Sequence, residues 1–131
     1  MAKPYYFSKV IELPFAAAIA ATTEVLAKHG FGVLTDIDVQ ATLKKKLDVS
    51  FRPYRILGAC NPSMAHKALL AEDKVGTMLP CNVVVQELAN GMVEVSAVDP
   101  VASMQAVENA ALAERATKVR EMLRQVIDEI G

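Results

Sequence analysis

The only two cysteines of this chain stand in matching settings, Cys60-Asn61-Pro62 and Pro80-Cys81-Asn82. A thiol acts as nucleophile or metal ligand through its thiolate, and otherwise packs as a small hydrophobe. An asparagine amide donates and accepts, so it caps a helix or holds a polar molecule in one orientation. If the two pairs meet, four readings open. They are packing residues and caps. They line a pocket for a small polar ligand. Cys60, placed just before a helix N-terminus whose dipole favours the thiolate, is a redox or nucleophilic thiol. Or Cys60, Cys81 and His66 share a metal. The last two are thinly supplied, because no Cys-x-x-Cys pair exists, no histidine adjoins either cysteine, and a zinc site lacks its fourth ligand. No metal and no cofactor is expected. Gly30-Phe31-Gly32 is not followed by a phosphate-loop pattern, no Gly-x-Ser-x-Gly elbow is present, and Glu12, Glu24, Asp36 and Asp38 show no convergence.

Whether the pairs meet depends on the elements that carry them. Tyr5 to Ile11 reads as a strand, rich in aromatic and β-branched residues. Pro14 opens a helix with Phe15, Ile19 and Leu26 at helical spacing, closed by Gly30. Lys28 and His29 complement its dipole, which is a structural duty for His29. Phe31 to Ile37 alternates as a strand, and Asp38 caps a short helix carrying Val39, Leu43 and Leu47. Pro53 to Cys60 is the third strand. Asn61 caps the next helix, with Pro62 first in it and Ala65, Leu69 and Leu70 expected inward. Cys81 to Leu88 and Met92 to Val98 flank the Asn90-Gly91 hairpin signal. Asn109 then opens a long helix with Leu112, Ala116, Val119, Leu123, Val126 and Ile130 on one stripe, and Glu114, Arg115, Lys118, Glu121 and Arg124 opposite. The order is β-α-β-α-β-α-β-β-α. The hairpin forces an antiparallel pair, which excludes a purely parallel sheet and points to α+β. A helix of about 12 residues spans ~18 Å, and the six or so residues of Val75 to Pro80 reach roughly 20 Å when extended. The chain can therefore return antiparallel, with both Cys-Asn pairs at one edge.

Composition narrows the classes. The chain has 131 residues and is read as one domain, residues 1–131, long enough to bury a core unaided. Hydrophobic residues make up 53% of it, much of that alanine, and the surplus suits a subunit interface. Fourteen basic and 15 acidic residues give a net charge of −1, with no field to gather phosphates and no tryptophan for stacking bases, so no nucleic-acid partner is expected. Lys44, Lys45 and Lys46 read as a solvated helix face. No run approaches the ~18 apolar residues of a membrane span, and no targeting signal is visible, so no membrane partner and a cytoplasmic location with reduced thiols are expected.

From GFGVLTDIDVQATLKKKL through RPYRILGACNP and LPCNVVV to the closing Asp99-Pro100, the chain resembles the family called domain of unknown function 302. The flanking helices fit it more loosely. The resemblance implies a TATA-binding-protein-like fold, a curved antiparallel sheet with a long C-terminal helix packed on it in the order β-α-β(4)-α with short inserted helices. It also implies a homodimer, and it leaves the activity open, since function belongs to sites rather than folds. The reading carried forward is a domain that binds a small polar ligand at an edge formed by Cys60, Asn61, Cys81 and Asn82, joined by Asp38 and Tyr54. The alternatives are a thiol-based redox or nucleophilic enzyme using Cys60 and Cys81, and a purely structural dimerisation module.

Overall fold

The computed structural model describes residues 4–131. Five strands form one open sheet: β1 (Tyr6–Ile11), β2 (Gly32–Asp38), β3 (Tyr54–Cys60), β4 (Cys81–Glu87) and β5 (Val93–Val98). Their spatial order is β1-β5-β4-β3-β2 and every neighbouring pair is antiparallel. The helices are α1 (Phe15–Lys28), α2 (Val39–Leu47), α3 (Pro62–Ala71), the single turn α4 (Pro100–Ser103) and the long α5 (Ala110–Glu129), with a 3-10 segment at Asp73–Met78. The α+β class, the antiparallel sheet and the long C-terminal helix are thus as expected.

The local signals act as their chemistry requires. The Asp38 side chain accepts from Ala41 N, Asn61 from Met64 N, and Asn109 from Ala111 N and Leu112 N, each satisfying a donor that its helix leaves unpaired. Gly91, at φ +83°, supplies the left-handed residue of the β4–β5 hairpin. Pro14 differs slightly: it is the residue before α1 rather than the first within it.

Alternation along the strands decides which face is covered. Val83, Val85, Val93, Val95 and Ala97 are fully buried beneath α1 and α5. The stripe of α5 supplies Leu123, Val126 and Ile127, and Ile130 just beyond it completes the contact. Each such side chain contributes about 1.5–3 kcal/mol on burial. Thr22 is the polar exception in α1, and its hydroxyl donates to the carbonyl of Ala18. A smaller cluster, Ala68, Val75 and Leu112 with Leu79, Met104 and Val107, joins α3, the 3-10 segment and α5 beside the main core. In α3 the inward residue is Ala68; Leu69 and Leu70, expected inward, are exposed, because α3 packs on α5 rather than on the sheet. On the other face, among the described residues, Tyr54, Asn82, Val84, Gln86, Glu94 and Ser96 line an open groove to which no helix contributes. Among the described residues no helix is long and apolar enough to cross a membrane.

Candidate functional site

The register places the cysteines. Ala59 pairs with Cys81, so Cys60, the last residue of β3, lies beside the first residue of β4. Both are free thiols. Their end of the sheet is closed by α3, α4 and α5, and a cavity of about 60 Å³ remains at the seam between the two hydrophobic clusters. Cys60, Asn61 and Cys81 line it, and most of the remaining wall is apolar, including Phe31, Met64, Leu79 and Met104.

Each lining group is held by its neighbours. Asn61 spends Oδ1 on the cap of α3, and its Nδ2 lies against Gly30, where an added Cβ would sit 3.1 Å away. Gly58 lets Pro80 approach, since a Cβ there would fall 2.7 Å from the proline Cγ and would also collide with Thr35 Oγ1. The Leu79–Pro80 peptide is cis. Burial pushes the Cys81 thiol up from 9.0 to about 11, and the neighbouring Cys60 adds to the rise. Cys81 is therefore a neutral thiol at physiological pH, a wall and not a nucleophile.

Arg115, expected on the polar side of α5, lines this wall instead. Its Nε is buried without a hydrogen-bond partner among the described residues, and the side chain makes no ion pair there. Arg120, five residues on, is different: its Nε lies 3.3 Å from Asp99 Oδ2, an ion pair although not aligned as a hydrogen bond. Sequence reasoning had placed Arg115 on the solvent side of α5. The only hint was its position between Leu112 and Ala116, at the border of the apolar stripe.

The six residues expected to share one edge occupy three places. Cys60, Asn61 and Cys81 meet at the cavity. Asn82 lies on the opposite, open face of the sheet, because neighbouring residues of a strand point to opposite sides. Tyr54 is on that open face too, opposite Gln86. Asp38 is at the far end of β3, opposite Arg55, about 17 Å along the strand from Cys60. There it caps α2 and pairs with Arg55 Nε at 3.4 Å, while Asp36 holds Arg55 Nη1 at 2.9 Å. His66 is exposed on α3, and among the described residues no group of three or more His, Cys, Asp or Glu side chains is placed to hold a metal.

A family model described as "Domain of unknown function DUF302" matches residues 7–130. The crystal structure of an uncharacterized conserved protein DUF302 from Bacillus stearothermophilus is similar at a TM-score of 0.89 and 28% identity, over 97% of this chain and 98% of that one. No curated protein matches.

Proposed function

This chain belongs to the DUF302 family of domains of unknown function, and we propose that it is a binding module for a small carboxylic acid with a short apolar body. The expected small polar ligand narrows in this way because of the walls. A cavity of about 60 Å³ takes roughly four to six water-sized groups, and its apolar lining favours an alkyl body over a polar one. The observation that carries the reading is Arg115 Nε, buried at this wall with no acceptor among the described residues. An unsatisfied donor of this kind costs about 1–3 kcal/mol, more when charged. A carboxylate removes that cost and matches the guanidinium fork. Asn61 Nδ2, free of the cap, is a second donor at the same wall.

Thermal melts with butyrate and with butyramide test this. Butyrate at about ten times its dissociation constant stabilises by roughly 1.4 kcal/mol, a rise of roughly 4–6 °C in Tm for a chain of this size. Butyramide is expected to give no rise. Arg115→Met is expected to lose the butyrate effect while melting at or above the wild-type temperature, since the orphan donor is gone. Equal shifts for butyrate and butyramide, or a butyrate shift retained in Arg115→Met, would remove the assignment.

The same reading includes a homodimer formed through the β2 edge. β2 ends the sheet, and Leu34 is 67% exposed on it. Beside it α2 buries no residue, and Leu47 and Val49 stay exposed. An edge strand flanked by exposed apolar side chains is a template for pairing with a second copy.

A further inference from the structure

We propose that the open face of the sheet carries a second and separate binding site, a groove for an aromatic monoamine. The groove encloses about 400 Å³, within the range of small-molecule sites. Its floor is β4 and β5, and it runs from the Asn82–Val98 register to the Gln86–Glu94 register, about 13 Å along the strands. All three tyrosines of the chain line it. Tyr5 and Tyr6 stand at one end with centroids 5.0 Å apart and edge to face, and both remain exposed. Tyr54 stands at the other end, beside Gln86. Aromatic rings left in water in this groove offer stacking surface and π faces to a ligand.

Charge selects the ligand. Glu94 is the one ionisable acid lining the groove, and it makes no ion pair among the described residues. It is braced: Gln86 Nε2 donates to Glu94 Oε1 at 3.2 Å, and Arg52 Nε donates to Gln86 Oε1 at 2.9 Å. The Arg52 guanidinium is itself fixed over the rings of Phe51, at 4.5 Å, and Tyr54, at 5.6 Å. The relay fixes the orientation of the Gln86 amide, so that its NH₂ end and not its oxygen faces the carboxylate. A held carboxylate at the Tyr54 end of the groove, with no ion-pair partner among the described residues, complements an ammonium group attached to a ring. Ser96 and Asn82 add hydrogen-bonding groups along the floor.

The test titrates phenethylamine into the full chain and follows tyrosine fluorescence, with calorimetry in parallel. The chain has no tryptophan and its three tyrosines all line the groove, so the emission reports the groove itself. A saturable change is expected for the amine. Glu94→Gln, N-acetylphenethylamine and phenylacetate should each bind at least about tenfold more weakly, the loss of a charge-assisted contact. Arg115→Met should bind phenethylamine as the wild type does, which separates this site from the cavity. If Glu94→Gln does not fold, Tyr54→Leu keeps the carboxylate and should weaken binding several-fold through the lost ring at the same end of the groove. No saturable change with the amine, equal binding by phenylacetate, or wild-type affinity in a folded Glu94→Gln or Tyr54→Leu protein would overturn the proposal.

Discussion

Cys60 and Cys81 share a sequence context but not an environment, and their chemistry separates accordingly. Cys81 is 9% exposed, and burial holds its thiol near 11. In the native protein near neutral pH, iodoacetamide is expected to modify the partly exposed Cys60 and to spare Cys81, with two thiols counted after unfolding. Fast labelling of native Cys81 would contradict this. The same shift has a consequence for stability. Between pH 9 and 11 the unfolded chain releases the Cys81 proton and the folded chain keeps it. The native state then binds more protons, so stability is whole below pH 9 and falls as pH rises toward 11, by about 2–3 kcal/mol in total. Urea unfolding of wild type and Cys81→Ala across that window checks it: the mutant lacks this part of the decline. The pairing of thiol and amide was visible in the sequence, whereas the depth of each thiol was not, because burial comes from α3 and α5 folding over the strand ends.

Gly58 shows how an element is constrained by its neighbours. It lies in mid-strand, where glycine weakens a sheet, and it is there because Thr35 and Pro80 occupy the space of a side chain. Gly58→Ala is expected to cost about 1–3 kcal/mol, the usual penalty of overpacking, read as a lower denaturation midpoint at unchanged slope. An unchanged midpoint would mean that Pro80 moves freely, and the wall of the cavity with it. Helix caps at Asp38, Asn61 and Asn109, the hairpin at Gly91 and the stripe of α5 were all legible, since each rests on residues a few positions apart. The inward face of α3 was misread, because Leu69 and Leu70 are more apolar than Ala68 and only the proximity of α5 selects the smaller residue.

Assembly is tested on the intact protein. If two copies pair along β2, sedimentation should give a dimer for wild type, and Leu34→Lys with Leu47→Lys should give a folded monomer, since edge lysines block strand pairing. A dimer that survives both changes would place the interface elsewhere. An intact groove signal in that monomer would further show that β2 pairing and the open face are independent. Strand, helix and hairpin identity, and the antiparallel return that gathers both cysteines at one edge, follow from the chain's own patterning and from its connection lengths. The partition of the Cys-Asn pairs does not. Cys81 and Asn82 diverge to opposite faces by the pleat, while Cys60 and Asn61 stay together because the strand ends between them and a helix begins. Arg115 shares a cavity with thiols more than 30 positions away, and Glu94 shares a groove with Tyr5 and Tyr54 only across the paired strands. Those meetings depend on long-range packing, whose energy is shared among many side chains and is written in no short stretch of sequence.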